Sequence, residues 1–177
     1  KVNPCGKLTD TIARNIEDYP STENFGDEER NYYKEDIYVG YRYFESFAKD
    51  KVMYPFGYGL SYSNFEVKGK LLEVTDKEII VEVDVINKGE MAGKEVVQVY
   101  IEAPQGKLGK PLRSLVGFTK TNVINSGESE KVTVKIPKYY IASYDDSGVT
   151  GYKSSYVLES GCYKIYIGSD VRSAIVS

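Results

Sequence analysis

Ile79-Ile80-Val81-Glu82-Val83-Asp84-Val85-Ile86-Asn87-Lys88-Gly89 alternates in side-chain chemistry. Ile79, Val81, Val83 and Val85 share one phase, and Glu82 and Asp84 lie in the other. Successive side chains of an extended chain point to opposite faces, so this pattern is a strand with one face packed and one face wet. Asn87-Lys88-Gly89 then turns the chain, since Asn and Gly both tolerate positive φ.

The same pattern recurs outward from this stretch. Residues 64–177 carry seven candidate strands separated by turn residues: Phe65–Val74, Ile79–Ile86, Glu95–Glu102, Leu112–Lys120, Lys131–Ile136, Ser155–Glu159 and Cys162–Gly168. Val97, Val99 and Ile101 share a phase, as do Val132, Val134 and Ile136, and Tyr163, Ile165 and Ile167. Short alternating strands without an intervening amphipathic helix argue against a parallel α/β sheet. The expected fold is mainly β, an immunoglobulin- or fibronectin type III-like antiparallel sandwich of about seven strands. An open seven-stranded barrel is the alternative.

Residues 1–63 read differently. Leu8, Ile12 and Ile16 stand at helical spacing and predict a short helical face. Asp18-Tyr19-Pro20-Ser21-Thr22-Glu23-Asn24 is loop-like, and Asp27-Glu28-Glu29-Arg30 reads as a solvated charge run. From Ile37 to Phe44 both phases are rich in β-formers, which predicts a strand covered on both faces. Such a strand needs neighbours that this stretch lacks. Residues 1–63 are therefore expected to be an incomplete, extended remnant of another domain, and 64–177 the sandwich. The absence of an initiator Met suggests a piece cut from a longer polypeptide.

Composition narrows the function. The chain has 177 residues, 41% of them hydrophobic and 28% charged, with net charge −3. No apolar run reaches the ~18 residues of a membrane-spanning helix, and no basic balance points to nucleic acid. With no His, a Ser-His-Asp triad or a His-ligated zinc site cannot be built from this chain. Two cysteines, Cys5 and Cys162, are too few for a disulfide scaffold and read as reduced thiols. Low cysteine content and the lack of a leader lean toward the cytoplasm. There are 17 Tyr and no Trp, so any sugar-stacking surface would use Tyr or Phe.

The candidate chemistry is sparse. Asp145-Asp146 precedes Ser147-Gly148 and reads as a turn, not as a catalytic pair. Glu128 and Glu130 flank a strand start and read as a solvated edge. Ser160-Gly161-Cys162 and Gly57-Tyr58-Gly59-Leu60-Ser61 lack a base that would activate a nucleophile. The loop from Glu102 to Pro111 sits where sandwiches often bind ligands, and equally suits a plain connection or domain docking. The aromatic run from Tyr32 to Phe44 suits interface packing better than a sugar-stacking strip.

Some motifs are more specific. Tyr33-Lys34-Glu35-Asp36-Ile37-Tyr38-Val39-Gly40-Tyr41-Arg42-Tyr43-Phe44 resembles the end of the α/β-sandwich domain of glycoside hydrolase family 3 enzymes. Tyr54-Pro55-Phe56-Gly57-Tyr58-Gly59-Leu60-Ser61-Tyr62-Ser63-Asn64-Phe65 resembles that family's junction into its fibronectin type III-like domain. Val85-Ile86-Asn87-Lys88-Gly89, Gly93–Tyr100, Lys110–Phe118 and Gly161–Gly168 are similar to its sandwich strands.

The resemblance implies a portion of a retaining β-glycosidase of the β-glucosidase or β-xylosidase type. The family's Asp nucleophile lies on a barrel with no counterpart here, and no stretch matches its acid/base segment. No catalytic residue, no metal ligand and no cofactor are carried over, and no substrate-binding residue is assigned. The implied partners are the catalytic domains of the same parent chain, with a β-linked oligosaccharide or glycoside as substrate of the intact enzyme. A carbohydrate-binding module and a protein–protein adhesion module are the rival readings.

Overall fold

The computed structural model describes residues 2–176. In chain order the elements are β1 (Ile12–Ala13), α1 (Tyr41–Phe47), β2 (Val52–Tyr54), β3 (Phe65–Val74), β4 (Glu78–Asn87), β5 (Val96–Glu102), β6 (Ser114–Lys120), β7 (Ser129–Pro137), β8 (Ser143–Asp145), β9 (Ser155–Val157), β10 (Lys164–Gly168) and β11 (Ile175–Val176). Two antiparallel sheets form the sandwich. One runs β3-β4-β7 and the other β11-β10-β5-β6.

The alternation read in the sequence sets the core. Ile79, Val81, Val83 and Val85 of β4 face Val97, Val99 and Ile101 of β5 across the sandwich, with Ile136 and Ile167 beside them, all buried. Burying each such aliphatic side chain is worth about 1.5–3 kcal/mol. Glu82 and Asp84 face outward, where Lys70 and Lys131 both pair with Glu82, at 2.9 and 3.2 Å.

Three expectations need correction. Ser155–Val157 is a strand, but it pairs with β8 in a separate two-stranded hairpin, outside the two main sheets. The sandwich's seventh strand is β11, a two-residue strand on β10 whose brevity gives no periodic signal. The Ile37–Phe44 strand is absent. Its residues form turns and then α1, which starts after Gly40 with φ 58°. Phe44 and Ala48 face Ala13, Val52 and Tyr19, while Tyr41 packs on Phe56 and Tyr100. The i, i+3, i+7 spacing of Tyr41, Phe44 and Ala48 was masked by dense aromatics, so tertiary packing overrode β propensity. Nor do Leu8, Ile12 and Ile16 form a helix. The chain from Leu8 to Arg14 is extended, with Thr11 and Ala13 buried and Ile12 exposed, and it pairs with residues 51–58, while Ile16 opens a single 3-10 turn, Ile16–Asp18.

Candidate functional site

The two outer faces of the sandwich differ. On the β3-β4-β7 face, Lys68 and Lys88 reach Glu66, Lys70 and Lys131 reach Glu82, and Lys135 approaches Glu78. This is a wet, charged ladder. The opposite face is covered. In β5 the outward Gln98 and Tyr100 are as buried as the inward valines.

Residues 2–63, with the 169–174 segment, supply that cover. Tyr41 and Phe56, beside Leu115 of β6, pack against Tyr100, Val171 and Ala174. The Tyr100 hydroxyl donates to Gln98 Oε1, and burial pushes its phenol well up, so it stays a donor. Gln98 Nε2 donates to Ser169 O at 2.7 Å and reaches Gly57 O at 3.5 Å. Gly57 has φ +81°, and a Cβ there would run into the Gln98 amide. The junction glycine is thus required twice, by backbone conformation and by close approach.

Further ties cross from this cover to the sandwich. The Tyr41 hydroxyl accepts from Leu115 N at 2.8 Å, and Ser46 Oγ accepts from Leu112 N at 3.0 Å. Arg172 Nε donates to the buried Glu45 at 2.9 Å. Asn87, wholly buried, accepts from Ser63 Oγ at 2.6 Å and donates to Met91 O and Ile124 O at 2.9 Å each. Lys7 pairs with the buried Glu95 at 2.7 Å.

Within residues 2–63, Ile12, Phe25, Tyr33, Val39, Phe47 and Leu60 are exposed, among the likewise exposed charges of Asp27, Glu28, Glu29 and Arg30. A shallow groove of about 670 Å3 is lined by Pro4, Leu8, Ile12, Tyr54, Tyr58 and Leu60. The aromatic run of the sequence is therefore divided: Tyr41, Tyr43 and Phe44 pack inside, while Tyr32 and Tyr33 stay exposed.

The other sequence candidates are structural. Asp145 is fully buried, and its carboxylate accepts from Gly148 N (2.7 Å), Val149 N (3.2 Å), Thr150 N (2.8 Å), Thr150 Oγ1 (2.6 Å) and Ser147 Oγ (3.2 Å). The Thr150 hydroxyl, then the backbone N–H groups, hold this carboxyl far below the usual range despite its burial. It is the turn anchor expected of Asp145, and Asp146 is not drawn into it. Glu128 ties Asn125, and Glu130 ties Asn122. Ser160 and Cys162 lie on the surface, and Cys5 and Cys162 are free thiols.

The Glu102–Pro111 loop is tied to the segment that follows β9. Lys110, buried, pairs with Glu159 and donates to Pro104 O at 2.9 Å. Glu159 also accepts from Lys107 N at 2.6 Å and Leu108 N at 3.3 Å. Lys110, with the Lys107 amide, holds the Glu159 carboxyl below its ordinary value. The sequence separation of these partners hid this from the sequence reading.

Beside that loop lies a groove of about 650 Å3, walled by Asp36, Tyr38, Arg42, Tyr140, Tyr144 and Asp146. Tyr140, Tyr139, Tyr156 and Tyr144 form a chain of rings with centroids 6.1, 4.5 and 5.2 Å apart. Among the described residues, no group of three or more His, Cys, Asp or Glu is placed to hold a metal ion. No helix there is long and apolar enough to cross a membrane.

Comparison with known proteins agrees with this geometry. A profile of the Fibronectin type III-like domain matches residues 95–171. A β-glucosidase of Ruminococcus albus is 54% identical over 174 residues, which is 98% of this chain and 18% of that protein. The crystal structure of a β-glucosidase from Paenibacillus barengoltzii superposes with TM-score 0.93 at 56% identity, over 99% of this chain and 20% of that one. A GH3 β-glucosidase of Bifidobacterium adolescentis superposes with TM-score 0.89 at 32% identity, over 99% of this chain and 26% of that one. The chain thus spans about a fifth of the length of these relatives. With its sandwich topology, its buried junction glycine and these likenesses, the chain belongs to glycoside hydrolase family 3, matching the portion of the family's β-glucosidases that carries the fibronectin type III-like domain.

Proposed function

We propose that this chain is the non-catalytic, bracing portion of a retaining β-glycosidase of the β-glucosidase type. Residues 1–63 are read as the end of an α/β-sandwich domain plus the junction, and 64–177 as the type III-like module. Hydrolysis of O-glycosyl bonds in the intact protein belongs to domains of the same parent chain outside these residues, and a β-linked glycoside is the substrate.

The observation that carries this reading is the asymmetry of the sandwich: one sheet face is wet and charged, and the other is packed under residues 2–63, which themselves leave Ile12, Phe25, Tyr33, Val39, Phe47 and Leu60 exposed. Large apolar side chains left exposed in this number suit docking onto a neighbouring domain. Carboxylate chemistry supports the non-catalytic half. A general acid needs a carboxyl pushed up in pKa, and a retaining pair needs two carboxyls about 5–5.5 Å apart. Glu159 and Asp145 are shifted the other way, down, by Lys110 and by the Thr150 hydroxyl. Buried Glu45 is committed to Arg172.

The test is a graft. This chain replaces the matching 174 residues of the Ruminococcus albus relative. The hybrid is expected to hydrolyse an aryl β-glucoside, the deletion without the graft to be inactive, and the isolated 177-residue chain to show no turnover. Turnover by the isolated chain, or full activity of the deletion, overturns the reading.

A further inference from the structure

The groove beside the Glu102–Pro111 loop borders the bracing contacts at Leu115, while Tyr140, Tyr144 and Asp146 of its wall take no part in them. Its volume of about 650 Å3 falls within the roughly 300–1,000 Å3 range of small-molecule sites. Tyr140 and Tyr144, at its wall, are 62% and 51% exposed, although each packs edgewise into the ring chain. Solvent-facing aromatic rings with free hydroxyls suit a ligand that has apolar faces and a hydroxyl-rich rim. Asp36, Asp146 and Arg42 supply acceptors and a planar donor fork at the same wall. Both charge signs are present, which disfavours a strongly charged polymer.

We propose that this groove binds a single chain of a neutral, β-linked oligosaccharide. Pyranose rings present C–H faces to Tyr140 and Tyr144, and their equatorial hydroxyls bond to Asp36, Asp146 and Arg42. Of the four linked rings, Tyr140 and Tyr144 line the groove and are joined through Tyr139 and Tyr156, with successive inclinations of 53° to 61°. A groove of this size admits a single chain, and the flat face of a crystalline polysaccharide does not enter it. The choice of a β-linkage rests on the parentage proposed above; the groove and its chemistry do not.

The test is calorimetric titration of the 177-residue chain with cellopentaose, xylopentaose and the α-linked maltopentaose. Binding of a β-linked pentamer at or below a Kd of about 1 mM is expected. The double variant Tyr140→Ala/Tyr144→Ala should weaken it at least tenfold, and Tyr140→Phe should retain it. Both side chains lie outside the core, and an unchanged thermal midpoint checks the fold. No heat with any pentamer overturns the proposal, as does binding that survives the double alanine variant. Equal binding of maltopentaose overturns the β-linked assignment. None of these results bears on the graft, so failure of the groove and failure of the bracing role are separable.

Discussion

At the scale of single residues, this chain uses carboxylates as structural anchors. Asp145 holds five donors from one six-residue loop, and its pKa is depressed mainly by the Thr150 hydroxyl. A carboxyl with a depressed folded-state pKa adds stability that is present above its unfolded pKa and lost as pH falls through the folded one. The wild-type thermal midpoint is therefore expected to drop as pH falls below roughly 4, the unfolded Asp value. Asp145→Asn should melt lower at pH 7 and lose less between pH 5 and pH 2. Parallel melting curves for the two proteins across that range would show that the Asp145 cage does not contribute.

At the scale of elements, neighbouring residues of one strand have opposite roles. In β7, Ile136 is fully buried against the opposite sheet, whereas Lys135 is exposed and approaches Glu78 only at 4.0 Å. Ile136→Ala is expected to cost about 2–5 kcal/mol, and Lys135→Ala less than about 0.5 kcal/mol. Urea unfolding of both variants reads the contrast, and similar losses would place β7 in a different register. This alternation made β3, β4, β5, β6, β7 and β10 legible from the sequence to within two residues at their ends. It failed at α1, where six aromatic or β-branched residues between Ile37 and Phe44 satisfy both periodicities. Gly40, at φ 58°, and the contacts of Phe44 decide for the helix.

At the scale of the whole molecule, the cover and the sandwich are expected to depend on each other. Removing residues 1–63 would expose Tyr100, Gln98 and Leu115 on the β5-β6 sheet and leave Asn87 without Ser63. The 64–177 piece should then bind a hydrophobic dye, associate, and melt below the intact chain. Size-exclusion chromatography and melting curves decide this. A monomeric piece with the midpoint of the whole chain would show the cover to be dispensable for the sandwich.

The sequence by itself determined the sandwich, because period-two alternation is local and each strand carries its own record of which side is buried. It also determined the family resemblance through the junction motif around Gly57, and the absence of any His-based chemistry. Only the tertiary structure decided which sheet face is sealed, that β11 and not β9 completes the sandwich, and that Lys110 meets Glu159. It alone brought Tyr38 and Arg42 to the same groove as Tyr140 and Tyr144. The sealed face and the Lys110–Glu159 pair join residues tens of positions apart, with side-chain types equally at home on a free surface until the fold brings a partner within reach, and β11 is too short to carry a periodic signal.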